Sequence, residues 1–162
     1  MEKFTVPCVA AIIEKITNNE KYILIQTRQK EDGVETNGML ELPDGKIREY
    51  ENIFEALRRE VKEETGLSIT KILGEDNQIS NFIKGNEVIS YTPYCITQNL
   101  SGVYSIILNT FLCEAKGELL TETNESQNIH WIKIKELKKI FKNYPEKIFL
   151  LHINALQKYL GI

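Results

Sequence analysis

Cysteine is sparse in this chain and odd in number, and histidine is sparser still. Cys8, Cys95 and Cys113 show no C-x-x-C spacing and sit in apolar, strand-like runs, so they read as reduced core residues and not as a disulfide framework. His130 and His152 stand alone without ligand spacing and are expected to be structural. No apolar run approaches the length needed to cross a bilayer, and the opening MEKFTVP lacks the apolar stretch of a secretion signal. The expectation is therefore a cytoplasmic protein with no membrane partner. A formal net charge of −3 supplies no general attraction to nucleic acid or anionic lipid, and none is expected as a partner. Internal repeats, low-complexity tracts and linkers are also missing, so the 162 residues are expected to form one domain.

What the chain does have is concentrated between residues 45 and 67, GKIREYENIFEALRREVKEETGL. Asn52 is placed to cap a helix with Glu55 three residues on, and Gly66 to end it in a left-handed conformation. At 3.6 residues per turn, Ile53, Phe54, Leu57 and Val61 share an arc of roughly 100° that faces a core. Glu60, Glu63 and Glu64 lie three and four residues apart, which makes them neighbours on the helix surface. Glu64 points between Ile53 and Leu57, inside the apolar arc. A solvated helix laced with i,i+4 ion pairs explains Glu55, Arg59 and Glu63, but it gives an inward carboxylate no purpose. Acid concentrated on one patch is unfavourable unless a cation neutralises it, so the segment points to a divalent metal.

The same residues resemble the signature of the Nudix hydrolases: Gly, five residues, Glu, seven residues, then Arg-Glu-aliphatic-any-Glu-Glu-any-Gly-aliphatic. Gly45, Glu51, Arg59, Glu60, Val61, Glu63, Glu64, Gly66 and Leu67 fill every fixed position. From average residue usage, a chance match in a chain this size is on the order of one in a million or rarer. The resemblance implies Mg²⁺ or Mn²⁺ held by Glu60, Glu63, Glu64 and the backbone carbonyl of Gly45. It implies that Arg59 orients the carboxylates, that Glu51 supports them, and that Arg28 reaches substrate phosphates. The sequence leaves the general base open between Glu63 and Glu125, which precedes Trp131 by six residues. One departure is Pro43-Asp44-Gly45, where the family often has Pro-Gly-Gly; the added carboxylate stands close to the expected metal.

The implied activity is hydrolysis of the pyrophosphate bond in a nucleoside diphosphate linked to another moiety, with an ADP-ribose-like compound or a nucleoside triphosphate as substrate. Tyr91, Tyr94 and Tyr104 are candidates for a base-stacking wall. Two alternatives share the fold: a non-catalytic nucleotide sensor, and an isoprenyl diphosphate isomerase, for which Cys95 would have to donate a proton. Either a monomer or a homodimer is compatible with the chain.

Outside the signature the pattern alternates strands and helices. Strands are expected at 6–15 and 21–28 around a polar turn at 17–20, then a loop at 31–38 and a short strand at 39–43 running into a turn at Gly45. Further strands are expected at 67–73, at 104–115 as a central strand buried on both faces, and at 129–134. Residues 79–98 read as a hairpin turning near Gly85-Asn86. Helices are expected at 135–142, whose lysines form a wet face, and from Pro145 onward to Gly161. The fold class is mixed α/β (α+β), and by resemblance a three-layer α-β-α sandwich around a mixed sheet.

Overall fold

The computed structural model describes residues 1–31 and 35–162; residues 32–34, in the loop expected at 31–38, lie outside the described residues. The first two strands, β1 (Val6–Thr17) and β2 (Glu20–Arg28), form an antiparallel hairpin. Asn18 and Asn19 close it at φ 51° and 61°. Two consecutive left-handed residues give a turn whose twist matches the flanking strands, and asparagine tolerates that region better than most residues with a side chain. There follow β3 (Leu40–Glu41), β4 (Asp44–Lys46), α1 (Ile53–Thr65) and β5 (Ser68–Ile72). Next come β6 (Ile79–Ile83), β7 (Asn86–Ser90), β8 (Cys95–Gln98), β9 (Ile106–Lys116) and β10 (Ser126–Lys133). Two helices, α2 (Ile134–Asn143) and α3 (Leu150–Leu160), close the chain.

The main sheet runs β10-β2-β1-β9-β5, with β3 on β2, β4 on β1 and β8 on β9. β1 and β9 are parallel and the other pairs antiparallel, so the sheet is mixed. Alternation along the strands sends side chains to two cores. Val9, Ala11, Ile13, Leu24 and Phe111 meet Phe54, Leu57 and Val61 of α1. Ile12, Ile23, Ile25 and Ile132 meet Leu137 and Phe141 of α2 and Leu156 and Leu160 of α3. This is the expected three-layer sandwich.

Three local expectations are corrected. Gly45 lies within β4, paired with Val9, and not in a turn. The second half of the 79–98 segment is two strands: β6 and β7 form a separate two-stranded sheet, and β8 joins the main one after a break containing Pro93. Proline has no N–H for a ladder, so the break falls there. Pro145 opens a 3-10 turn, Pro145–Lys147, and α3 begins only at Leu150.

Candidate active site

Helix α1 is built as its sequence suggests. The Asn52 side-chain oxygen accepts the Phe54 N–H at 2.9 Å, and Gly66 ends the helix at φ 80°. Glu55 does not turn back toward the cap; it accepts from Arg58. Glu64 is buried (5% exposed), as its place on the wheel requires. One of its oxygens, Oε2, accepts from Gln26 Nε2 at 2.9 Å and from the Asp44 N–H at 3.0 Å. The other, Oε1, is buried without a hydrogen bond. Burial, then the nearby Asp44 charge, raises the Glu64 carboxyl well above its usual range.

Glu60 sits one turn earlier, and its carboxyl group lies against the Cα of Gly45. A Cβ at residue 45 would fall directly on that group. Gly45 has no positive φ, so the glycine is required by this close approach and not by its own backbone conformation. Burial pushes the Glu60 carboxyl up, and the Arg59 hydrogen bond partly opposes it.

Arg59 ties the acids together. Its Nε and Nη2 donate to the two Glu51 oxygens at 2.6 and 2.8 Å, and Nη2 also donates to the Lys46 carbonyl at 3.0 Å. Nη1 donates to Glu60 and, at 3.4 Å, to Glu63. The planar fork of guanidinium suits this bridging role. The same hydrogen bonds hold the Glu51 carboxyl down at about 2.

Beneath the helix lies a buried charged cluster: Glu41, Asp44 and Glu64 among Arg28, Lys30 and His152. His152 Nε2 and Asp44 Oδ2 are 2.9 Å apart, and Lys30 Nζ donates to Asp44 Oδ1 at 3.1 Å. Burial disfavours the charged Asp44, but His152 and Lys30 outweigh it and hold the carboxyl well below the usual range. Arg28 donates to Glu41 Oε2 at 3.1 Å and places its guanidinium 4.2 Å from the Phe149 ring centroid and 5.3 Å from that of Tyr104. Glu41, Asp44 and His152 offer ligand-type atoms within 4.8 Å of one another, yet Arg28 and Lys30 already supply cations there.

A cavity of about 690 Å³ opens over these groups. Arg28, Lys30, Lys46, Arg48 and Arg59 line it, interleaved with Glu60, Glu63 and Glu125, and Tyr104, Ile106, Phe149 and Leu151 form an apolar end. Glu63 and Glu125 face solvent, with side chains 53% and 62% exposed. Gly45, Glu60, Glu63, Arg59, Glu125 and Arg28 thus border one space, and Glu64 lies buried beside Asp44 and Lys30. Tyr104 is at the cavity, whereas Tyr91 packs against Phe54 and Phe111, and Tyr94 lies beneath Lys158. Cys95 is not on the cavity wall. Cys8 is, with its thiol pushed up to about 11 by burial and then by Asp44. His130 lies in β10 opposite Ile25, with its ring Nδ1 2.6 Å from the Asn128 carbonyl oxygen.

Sequence reasoning missed Gln26, Lys30, Glu41 and His152. His152 carried a usable signal, a polar residue on an otherwise apolar helix face, but its partner is 108 positions away.

The donor set fits a hard divalent cation. All candidate ligands are oxygens, Glu64 keeps a buried oxygen without a hydrogen-bond partner, and the Gly45 backbone is cleared for Glu60. None of the helices among the described residues is long and apolar enough to cross a membrane.

A family model of the NUDIX domain matches residues 6–151. The NUDIX domain of Shewanella oneidensis NrtR, solved with ADP ribose, is similar with a TM-score of 0.67 at 12% identity, over 99% of this chain and 89% of that one. A MutT NUDIX hydrolase from Burkholderia pseudomallei is similar at 0.57 and 18%, over 80% and 84%. An Ap4A hydrolase of C. elegans, in a binary complex, gives 0.52 and 13%, over 96% and 98%. At these identities the likeness is one of fold. No curated protein matches the sequence. With its signature complete and the family model spanning most of its length, the chain belongs to the NUDIX domain family.

Proposed function

We propose that this protein is a divalent-metal-dependent hydrolase of the pyrophosphate bond in a nucleoside diphosphate linked to another moiety. The observation that carries the reading is the pairing on α1 of Glu60, closed onto Gly45, with Glu64, whose buried Oε1 lacks a hydrogen-bond partner. Glu60, Glu63, Glu64 and the Gly45 carbonyl would hold Mg²⁺ or Mn²⁺. Such an ion, when bound, neutralises phosphate charge and lowers the pKa of a bound water.

The protein's own groups then do the positioning. Arg59 keeps Glu51, Glu60 and Glu63 in fixed relation, and Gln26 and the Asp44 N–H fix Glu64. Arg28, Lys46 and Arg48, which line the cavity, would meet a diphosphate, since phosphoryl transfer depends mainly on positioning and charge stabilisation. Tyr104, Phe149 and Leu151 offer an apolar end for a base or sugar, in a cavity of about 690 Å³, within the usual range for small-molecule sites of roughly 300–1,000 Å³. Glu63 and Glu125 both line the cavity, and one of them would take a proton from water. ADP-ribose-like compounds and nucleoside triphosphates are the leading substrates. The likeness to a domain solved with ADP ribose supports the first.

A panel of nucleotide pyrophosphates incubated with Mg²⁺, with products resolved by chromatography, tests the proposal. Phosphate-containing fragments from at least one linked diphosphate are expected. Tight nucleotide binding by calorimetry without turnover of any panel member would instead favour a sensor. Cys95, the proton donor required for the isomerase, lies off the cavity wall, which counts against that alternative.

A further inference from the structure

Lys30 is the residue that the proposed chemistry leaves unexplained. Its Nζ lies 3.1 Å from Asp44 Oδ1, 3.6 Å from Glu125 Oε2 and 3.9 Å from Glu64 Oε1. Three acids from three parts of the chain, the β3–β4 corner, the loop before β10 and α1, therefore converge on one ammonium. The side chain is 17% exposed. Its backbone is clamped by Asn37, which accepts from the Lys30 N–H at 2.9 Å and donates to the Lys30 carbonyl at 3.1 Å. Lys30 is thus held where its charge meets the oxygen of Glu64 that has no hydrogen-bond partner.

At 3.9 Å the ammonium neutralises that oxygen without bonding to it. A divalent ion carries twice the charge, and Mg²⁺ approaches carboxylate oxygens to about 2.0–2.1 Å. An ion on Glu64 and an ammonium beside Glu64 would repel each other at this range. Lysine ends in a compact charge on a flexible four-carbon stem, so it can leave without disturbing its backbone. The cavity it lines gives it somewhere to go.

We propose that Lys30 is a tethered counter-ion: it occupies the acid cluster of the metal-free protein and is displaced into the cavity when a divalent cation binds. The proposal rests on reading Glu60, Glu63 and Glu64 as metal ligands. It gives Lys30 two roles, preventing mutual repulsion of the buried acids before loading and setting the cation affinity by competition.

Wild-type protein tests it directly. Chelator-stripped protein is acylated at lysine with and without saturating Mg²⁺, with binding followed in parallel by calorimetry, and each lysine is quantified by peptide mass spectrometry. Exposed Lys71 serves as the internal standard. Labelling at Lys30 should rise several-fold with Mg²⁺ while Lys71 stays constant. In a second arm, K30Q is titrated with Mn²⁺ and should bind roughly tenfold or more tightly than wild type, the scale expected for loss of one competing charge after solvent screening. Mg²⁺ binding that leaves Lys30 labelling unchanged, or K30Q binding Mn²⁺ no better than wild type, overturns the counter-ion role and leaves the metal site standing. Failure of both wild type and K30Q to bind either ion overturns the metal reading itself. Should K30Q not fold, the wild-type labelling decides alone.

Discussion

Gly45→Ala separates stability from function at the centre of the site. The added methyl would occupy the space of the Glu60 carboxyl group, which Arg59 holds from the other side. Forcing a methyl into packed surroundings costs about 1–3 kcal/mol. Alanine returns about 0.4–1 kcal/mol by restricting the unfolded chain, because the backbone at 45 is not left-handed. The net loss is then about 0–2.6 kcal/mol, a fall in Tm of up to roughly 10 °C for a chain of this length. Metal binding should suffer more, since even partners that merely orient ligands are worth about 10–100-fold in affinity, and here a proposed ligand is itself moved. Mn²⁺ titration of G45A, by calorimetry or by paramagnetic resonance, should show a loss of at least about tenfold. The double variant G45A/E60D shortens the acid by one methylene and should recover part of that loss, a non-additive result expected of groups in contact. If G45A binds Mn²⁺ within about twofold of wild type, a difference under about 0.5 kcal/mol, the close approach of Glu60 to Gly45 has no part in holding the ion.

His152→Ala removes a buried partner of Asp44 and leaves a void, and urea denaturation should show a loss of about 2–4 kcal/mol. H152Q, which keeps a donor and most of the volume, should lose less; equal losses would show that neither stands in for the imidazole at Asp44. Glu63→Gln and Glu125→Gln should differ sharply in kcat under saturating Mg²⁺, and equal, mild losses would remove both from the base role. The Glu51 carboxyl is depressed in the folded state, to about 2 from an ordinary 4.5. Its contribution to stability is therefore complete above the ordinary value and lost as pH falls toward 2. In R59Q the urea midpoint should accordingly fall less steeply than wild type between pH 4.5 and 2; superimposable slopes would show that the Arg59 pairing is not the cause.

The frame of the fold was readable because periodicity reports burial directly. Leu57 and Val61 mark the inner face of α1, and the apolar run at 106–113 marks a strand covered on both sides. Glu64 was readable for the same reason, since an acid within an apolar arc is visible in the spacing alone. The close approach of Gly45 to Glu60 was not, because it depends on β4 pairing with β1 and on how α1 lies against that strand. Lys30 and His152 were hidden by distance along the chain: their partner Asp44 is 14 and 108 positions away, and no local pattern records such a meeting. Pro93 signals the break between β7 and β8, but the longer run of strand-forming residues around it masks that signal. Arg28 is expected by resemblance at substrate phosphates, and its guanidinium also meets Glu41 and two aromatic rings, a setting that only the packed structure supplies.

The parallel pairing of β1 with β9, Val6 beside Ile106 through Ile13 beside Cys113, sets the order in which this protein can assemble during synthesis. The hairpin of β1 and β2 can zip as soon as it is made, but the other edge of β1 waits for about a hundred more residues. Through that interval a strand bearing Val9, Ala11 and Ile13 presents an open ladder, and such long-range pairing is slow and prone to aggregation. Chains stalled or truncated before residue 106 should therefore be the sticky species, however many of the acids proposed to hold metal they already carry.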